Sequence, residues 1–454
     1  MDSFFSTLLW FLLALGILIT VHEFGHFWVA RRLGVKVLRF SIGFGPPLWR
    51  RRGRVDGTEY VIAAIPLGGY VKMLDEREGE VPAAERERAF NRQSLKVRSA
   101  IVAAGPLFNF LFAILAFWFI FVTGDTGLRP LVGEVAPESP AAVAGFQPGD
   151  ELLQVGGRIT PTWEDVVYSL LAASGDDEPL PVRVRDAEGR EALRVLPETT
   201  LQDLAEDGRI LHRIGITPKR PRLLPVIGQV VPGEAADRAG LQSGDLIQAI
   251  GGEPVATWGE LVTRIRELPG KKVTLKLERD GRILDLPLTI GARDEGGESY
   301  GRIGAGVEVP EGLYDPYRTE VRLGPVAAMG AAVVKSWDMS LFMLRMLGRM
   351  LIGEASVKNL SGPISIAQSA GQSASYGPLY FLKFLALVSI SLGVLNLLPV
   401  PVLDGGHLFF FLIEAVRGRP LPEETLLQGQ RIGLLLLLAL MGLAFYVDLS
   451  RVFG

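Results

Sequence analysis

The 454-residue chain contains no cysteine, only four histidines and no excess of basic residues. The absence of cysteine excludes disulfides and thiolate metal sites, so any metal ion must be bound by histidine and carboxylate side chains. A net charge of −3 gives no sign of a nucleic-acid partner. Charged residues make up 21% of the chain and hydrophobic residues 48%. This balance is typical of a membrane protein with soluble portions, and the length allows two or three domains.

Two of the histidines lie in H-E-F-G-H, residues 22–26, near the end of a stretch that has no charged residue from Phe4 to Val21. In a helix His22 and His26 lie on one face and can bind a single metal ion. Glu23 is adjacent, where it can accept a proton from water activated by that metal. The alternative is a histidine pair on an amphipathic helix without metal. Ionisable groups are costly in an apolar segment, which favours the metal site.

Four segments are predicted to cross a membrane as helices, namely 1–30, 99–124, 376–403 and 430–449. A fifth apolar segment, 320–355, is interrupted by charged residues, which favours an amphipathic helix at the membrane interface. The interrupting residues are Lys335, Asp338, Arg345 and Arg349. The first segment has Asp2 instead of a basic leader and no small-residue cleavage site, so it is expected to be a retained span.

Basic residues predict the orientation of these spans. Eight of them follow the first span within residues 31–54, at the start of segment 31–98, namely Arg31, Arg32, Lys36, Arg39, Arg50, Arg51, Arg52 and Arg54. The positive-inside rule therefore places 31–98 in the cytoplasm, and the second span exports the chain that follows. The third span returns to a cytoplasmic loop at 404–429. On this topology residues 22–26 and N-L-L-P-V-P-V-L-D-G-G-H, residues 396–407, lie at similar depth near the cytoplasmic side. Had the fifth segment crossed the membrane, they would lie on opposite sides.

The second motif is expected to complete the metal site, because catalytic metals commonly take three protein ligands and keep a fourth position for water. Asp404 fits best, since it ends an apolar run and the two glycines after it let the backbone turn closely. A helix or turn cap is its alternative role. His407 is the competing ligand, or a residue that supports the ligands from behind.

The same motif contains a predicted helix break. Asn396 is followed by Pro399 and Pro401, so backbone carbonyls are expected to be free near the site. These groups could hold an extended substrate together with Asn396 and Pro399. Alternatively, the Asn396 side chain only satisfies the broken backbone.

An internal repeat lies between the second span and the fifth apolar segment. A-G-F-Q-P-G-D, residues 144–150, recurs as A-G-L-Q-S-G-D, residues 239–245, and the same offset of 95 relates Trp163 to Trp258. Such a register indicates two copies of one α+β domain, expected at 127–220 and 221–310. The equivalent tryptophans favour packing roles in both copies.

The ordered combination of motifs resembles the site-2 protease family of intramembrane zinc metalloproteases. A-A-G-P-L-F-N, residues 103–109, and L-G-G-Y-V-K-M, residues 67–73, also match, and the resemblance covers nearly the whole chain. It implies Zn²⁺ held by His22, His26 and Asp404, with Glu23 as catalytic acid and base. Asn109 is expected behind the ligands. The implied substrate is a single-pass membrane protein, such as an anti-sigma factor already trimmed outside, and the implied repeat is a tandem pair of exported PDZ domains.

Two β-rich parts are candidates for substrate binding. A transmembrane helix must unwind before hydrolysis because its backbone is internally hydrogen-bonded. A hairpin dipping toward the site, with Gly68, Gly69 and Tyr70, could bind the unwound segment as an added strand. Otherwise it is a soluble cytoplasmic hairpin. The PDZ domains could screen substrates by binding a peptide or protein ligand, or serve as folded spacers.

The sequence thus predicts a multi-pass α-helical protein of the bacterial inner membrane, with about four transmembrane helices in the lipid bilayer. It adds a membrane-associated β-hairpin and two tandem exported PDZ domains, and its active site faces the cytoplasm. Two rival functions are a non-catalytic PDZ adaptor anchored in the membrane and a metal transporter. Glu23, which neither rival needs, argues against both.

Overall fold

The computed structural model describes residues 2–54, 56–77, 79–173, 178–197, 210–295, 298–353 and 362–453. Parts of the predicted segments 127–220 and 320–355 therefore lie outside the described residues. The α-helices are α1 (Asp2–Arg32), α2 (Leu95–Thr123), α3 (Pro140–Val143), α4 (Trp163–Ala173), α5 (Ile210–Ile214), α6 (Ala235–Ala239), α7 (Trp258–Arg266), α8 (Pro325–Leu351), α9 (Pro363–Ser375), α10 (Pro378–Leu397), α11 (Asp404–Arg417) and α12 (Glu423–Phe453).

The strands belong to several small sheets. They are β1 (Val37–Arg52), β2 (Glu59–Met73), β3 (Asp125–Leu128), β4 (Val132–Val135), β5 (Glu151–Val155), β6 (Arg158–Ile159), β7 (Leu180–Arg185), β8 (Glu191–Leu196), β9 (Ile216–Pro218), β10 (Ile227–Val230), β11 (Leu246–Ile250), β12 (Glu253–Pro254), β13 (Lys272–Arg279), β14 (Arg282–Thr289), β15 (Gly291–Glu295), β16 (Glu298–Arg302), β17 (Ala305–Val307) and β18 (Arg318–Val321). The chain divides into two compact units. The first comprises residues 1–125 and 321–449, and the second comprises 126–320 with 450–454.

Five helices among the described residues are long and apolar enough to cross a membrane. They span Phe4–Arg32, Leu95–Thr123, Pro325–Leu351, Pro378–Leu397 and Glu424–Ser450. The sequence prediction of about four spans counted Pro325–Leu351 as interfacial. That helix has the lowest mean hydropathy of the five, 1.2, because its charged residues interrupt the apolar run. By length and composition it nevertheless belongs with the other four.

In the first unit α2 lies between α1 and α10, with close contacts on both sides. A side chain at Gly25 of α1 would overlap the Ala104 carbonyl of α2, and one at Gly393 of α10 would press on the Phe110 ring. Ser389 Oγ donates a 2.8 Å hydrogen bond to the carbonyl of Asn109. These small residues let the three backbones approach closely, as membrane helices require.

An ion pair fixes how α2 and α10 run relative to each other. Lys383 Nζ, near the start of α10, lies 3.1 Å from a carboxylate oxygen of Asp125, just after the end of α2. The last turn of α2 and the first turns of α10 therefore lie at the same level. The two helices run antiparallel.

The helix break predicted at Pro399 and Pro401 is present. Helix α10 ends at Leu397, and α11 starts at Asp404, within the segment expected to be a cytoplasmic loop at 404–429. A side chain at Gly405 would come within 2.3 Å of the Leu398 carbonyl oxygen, and one at Gly406 within 2.2 Å of that of Val400. Both positions therefore require glycine, because the turn folds back onto the first residues of α11. This turn presents Asp404 at a helix N-terminus.

Strands β1 and β2 fold into a sheet of four short segments. Segment 37–42 pairs on one side with 69–73 and on the other with 59–62, and 59–62 also pairs with 49–52. Phe40 and its neighbours pack on α1 and α2 around a buried cluster that includes Phe27 and Ile101. The predicted hairpin is therefore built against the helices of the first unit.

The second unit contains the duplication. Its two four-stranded sheets have the same order, β6-β5-β7-β8 and β12-β11-β13-β14. Even the isolated bridges repeat, since Leu131 pairs with Glu151 and Val226 with Leu246, each displaced by the same 95 residues. Trp163 lies in the first core and Trp258 packs against the second. The repeat read from the sequence is thus a repeat of structure.

Candidate metal centre

Three predicted ligands meet between α1 and the start of α11. His22 Nε2 lies 3.1 Å and His26 Nε2 3.4 Å from the same oxygen, Oδ2, of Asp404. The two Nε2 atoms are 3.2 Å apart. Because the histidines are one helical turn apart, both rings point to the same side of α1. Residues separated by nearly the full chain thus converge on one point.

The opposite side of each ring is fixed by α2. His26 Nδ1 lies 2.8 Å from the carbonyl oxygen of Ile101, which can only accept, so Nδ1 donates and Nε2 is free to bind a metal. His22 Nδ1 lies 3.2 Å from the side-chain amide of Asn109. Asn109 is fully buried. The Ile101 carbonyl thus selects the tautomer of His26 that binds metal, and the Asn109 amide orients the His22 ring.

The donor set fits a zinc ion. Asp404 Oδ2 and Asn109 Oδ1 are buried among the described atoms without a hydrogen-bond partner. An unpaired buried carboxylate oxygen facing two imidazole nitrogens is costly, and a cation satisfies all three atoms. Two nitrogens and one carboxylate oxygen, with room left for a water molecule, form a common catalytic zinc arrangement. Among the described residues, His22, His26 and Asp404 are the group of three whose ligand atoms lie close enough together to bind one metal ion.

Gly105 of α2 lies directly against the two rings. A β-carbon there would come within 2.3 Å of His26 Nε2 and 2.8 Å of His22 Cε1. The position must therefore lack a side chain for the histidines to keep their geometry. Sequence reasoning placed Gly105 inside a matching motif but gave it no role. The sequence did carry a signal for this role: Gly105 lies four residues before Asn109, so in a helix both face the same side.

Glu23 faces the β1–β2 sheet beside the ligands. A β-carbon at Gly69 would lie 3.0 Å from Glu23 Cγ, and the backbone of Val71 interacts electrostatically with the Glu23 carboxylate. Its charge interacts with both histidines and with Asp404. The carboxylate therefore lies between the metal ligands and segment 69–73.

Comparison with known proteins agrees with this geometry. The model of peptidase family M50 matches residues 10–440. The chain is 46% identical over 447 residues to the regulator of sigma E protease of Salmonella typhi, covering 97% of this chain and 98% of that protein. It is 46% identical over 453 residues to the regulator of sigma-E protease RseP of Escherichia coli, covering 99% and 100%. A putative zinc metalloprotease of Vibrio cholerae is 46% identical over 445 residues, covering 97% and 98%.

The chain belongs to peptidase family M50. The resemblance inferred from the motifs is thereby confirmed, and the protein is a zinc metalloprotease. A solved PDZ domain of an SdrC-like protein from Listeria monocytogenes covers 20% of this chain and 90% of its own, at 20% identity and a TM-score of 0.16, which is too low to compare folds.

The remaining predicted residues of this M50 peptidase lie around the centre, outside the group of three. His407 is half-buried one turn into α11, and its charge interactions include Asp404 and His26. Asn396 is half-buried near the end of α10, and Pro399 is exposed in the turn. Tyr70 accepts a 3.2 Å hydrogen bond from Arg39 Nη1 and stacks on Phe44.

One ion pair that sequence reasoning missed joins α2 to α11. Arg98 Nη2 donates to Glu414 Oε1 at 2.5 Å, and the Arg98 guanidinium lies over the Phe411 ring. Both side chains of the pair are only 14% exposed. Since α2 also carries the partners of the histidines, this contact aligns the helix of Asp404 with them. No local sequence signal connects residues 316 positions apart.

Proposed function

We propose that this M50 peptidase hydrolyses a peptide bond within the transmembrane segment of a single-pass membrane protein. The substrate class is an anti-sigma factor already trimmed outside, in line with relatives named as regulators of sigma E. The observation that carries the proposal is the position of Glu23. It lies between three converging metal ligands and the edge of a β-sheet, so an acid–base group, a metal and a backbone-binding edge share one site.

His22, His26 and Asp404 hold the zinc ion. When bound, zinc lowers the pKa of water and polarises a carbonyl group. Glu23 accepts a proton from the attacking water and passes it to the leaving amine. The packing of Glu23 against Gly69 positions its carboxylate, and Ile101 and Asn109 orient the histidines.

The unwound substrate adds as a strand to segment 69–73. This segment pairs through one edge with 37–42, and Gly69 and the backbone of Val71 lie near Glu23. A substrate strand added at the other edge runs past the catalytic carboxylate. Its backbone forms hydrogen bonds with the sheet, and these offset the helical hydrogen bonds that the substrate loses when it unwinds. Gly68, Gly69 and Tyr70 form the start of this edge. Asn396 offers its side-chain amide from the last turn of α10, and Pro399 offers its backbone carbonyl from the turn that follows.

Four helices cross the inner membrane in this proposal, and α8 does not. The Lys383–Asp125 ion pair puts the end of α2 and the start of α10 at one level, so the chain between them crosses an even number of times. Among the described helices there, α8 is the one long enough to cross. This supports an interfacial α8. The proposal also includes an active site toward the cytoplasm and an exported repeat acting as PDZ domains that bind a peptide or protein ligand.

Co-expression with a tagged, outwardly trimmed single-pass substrate tests the activity. Wild type is expected to yield a shorter fragment, whereas Glu23→Gln is expected to bind stoichiometric zinc and leave the substrate intact. Glu164→Gln, in the first repeat copy, is the matched control and should cleave normally. Cleavage by Glu23→Gln would contradict the role given to Glu23. Wild-type protein that contains zinc yet leaves every trimmed substrate intact would support an adaptor instead.

A further inference from the structure

A basic and aromatic cavity lies on the β1–β2 sheet, along segments 40–42, 49–54 and 60–62. It encloses about 530 Å³. Its lining comprises Phe40, Ile42, Trp49, Arg51, Arg52, Gly53, Arg54, Tyr60, Val61 and Ile62. Three of these residues are arginines, and none of the described lining residues is a carboxylate. A cavity of this charge is complementary to an anion.

Strand register shows that the lining has two unlike ends. Tyr60 pairs with both Phe40 and Arg51, whereas Ile62 pairs with both Ile42 and Trp49. Residues in each row share a face of the sheet, and the rows are two residues, or about 7 Å, apart. The row through Tyr60 therefore ends in the guanidinium of Arg51, and the row through Ile62 ends in the indole of Trp49. The cavity is amphipathic along the strand direction.

The basic end gathers charges from two elements. Arg31, in the last turn of α1, donates to the Tyr60 hydroxyl at 3.4 Å. A β-carbon at Gly53 would lie 3.2 Å from the Tyr60 ring, so the backbone next to Arg54 also lies against that ring. Arg31, Arg51 and Arg54 thus surround the Tyr60 end of the cavity.

The apolar end points deeper along α1. Ile42 pairs with Gly69, and Gly69 packs against Ile19 and Glu23. Ile19 lies twelve residues before Arg31, which is about 18 Å along a helix. One leaflet of hydrocarbon is about 15 Å thick. Trp49 and Ile62 are also half exposed, at 48% and 45%. The cavity therefore has the polarity and depth of one lipid in the leaflet that surrounds the Arg31 end of α1.

We propose that this cavity binds an anionic phospholipid, with the phosphate among Arg31, Arg51 and Arg54 and an acyl chain along Trp49 and Ile62. Guanidinium groups bind phosphate in a bidentate manner, and each cation near a membrane surface contributes about 1 kcal/mol toward anionic lipid. The bound lipid ties the sheet that borders the active site to the bilayer surface. This role is separate from peptide hydrolysis.

The strand supplies its own control residue. Arg50 lies between Trp49 and Arg51 and faces the opposite side of the sheet. There Arg39 and Arg50 lower the pKa of the Glu59 carboxyl, with the hydrogen bonds from Arg39 contributing most, and the lining residue Arg52 adds to the effect through its charge. Arg50 is as charged as Arg51 and is not part of the cavity lining. Comparing the two separates a specific site from a general effect of net charge.

Native mass spectrometry of the purified full-length protein with equal amounts of phosphatidylglycerol and phosphatidylcholine tests the proposal. Wild type should retain phosphatidylglycerol selectively. Arg51→Gln/Arg54→Gln should weaken its retention about 25-fold, or about 5-fold for each arginine. Arg50→Gln should retain it like wild type, and Arg51→Lys/Arg54→Lys should restore most of it. Zinc content and circular dichroism identify any variant that fails to fold, in which case the lysine pair still tests the requirement for charge.

A second measurement locates the acyl chain. Phosphatidylglycerol brominated on its acyl chains should quench a fluorescence component that is lost in Trp49→Phe. Equal retention of both lipids by wild type, or an equal loss in Arg50→Gln, would overturn the proposal. So would displacement of the lipid by an equal concentration of inorganic phosphate or of a soluble acidic peptide, since the site would then recognise phosphate alone or a protein segment.

Discussion

The first unit and the repeat each bury a carboxylate, but with opposite surroundings. Asp245 in the repeat is fully buried, and its oxygens accept hydrogen bonds from Arg279 Nε, Arg279 Nη2 and the N–H of Gln242 at 2.6–2.9 Å. Asp404 Oδ2 faces two histidine nitrogens and has no hydrogen-bond partner among the described atoms. A satisfied carboxylate stabilises a fold, whereas one aimed at other acceptors requires a cation.

The largest effect is expected from removing the unsatisfied carboxylate. Asp404→Asn replaces an anionic ligand by a neutral amide, so zinc should be lost and activity should fall by about a thousand-fold or more. Zinc content by atomic absorption and cleavage of a tagged substrate would measure both. Retained zinc with normal cleavage would contradict the assignment of Asp404 as a ligand and would favour His407 as the third ligand instead.

The next effect tests the close approach of α2. Gly105→Ala places a methyl group on the His26 ring, so zinc affinity should fall by about 100-fold while the helices still form. Zinc titration against a competing chelator measures this. Gly16→Ala in α1 is the control, because a β-carbon there meets nothing within 4 Å. Equal affinity in both variants would show that the rings do not depend on Gly105.

The satisfied carboxylate should behave in the reverse way. Asp245→Asn weakens the pairing with Arg279 and should lower the free energy of unfolding of the repeat unit by about 1.5–3 kcal/mol. Zinc content should not change. Calorimetry of the purified protein, with Asp285→Asn on exposed β14 as control, measures the shift. A loss of zinc without loss of stability would erase the contrast between the two carboxylates.

The smallest effect concerns orientation of a ligand. Asn109→Leu removes the partner of His22 Nδ1, so zinc affinity should fall by about ten-fold. The chelator titration used for Gly105 applies, with Asn91→Ala as a control because Asn91 bonds to Glu76 instead. Unchanged affinity would mean that packing alone holds the His22 ring.

Much of this fold could be predicted from local pattern. Uncharged runs predict the helices, the spacing of His22 and His26 puts them on one helical face, and the 95-residue offset predicts the duplication. Asp404 could be proposed because few carboxylates occur in apolar surroundings at a suitable depth. The family resemblance joined these parts into one centre.

Contacts between distant segments could not be predicted in the same way. The ion pair of Arg98 and Glu414 and the close approach of Gly69 to Glu23 arise from helix and sheet packing, which the residues next to them in sequence do not indicate. Helix α11 was expected as a loop, since two prolines shortly precede it and two glycines, which disfavour helix, lie in its first turn. The sequence also could not fix the number of transmembrane helices, because the composition of α8 lies between that of a span and that of an interfacial helix.

The position of Asp404 has a consequence for biosynthesis. It follows His22 by about 380 residues, and at roughly 5–20 residues per second a ribosome needs about 20–80 s to cover that distance. During this interval the histidines are already made while Asp404, their proposed partner in binding zinc, is not. With the ligand set proposed above, zinc binds fully only after the repeat has been synthesised. The newly made chain is then expected to be inactive until its last helices join the first.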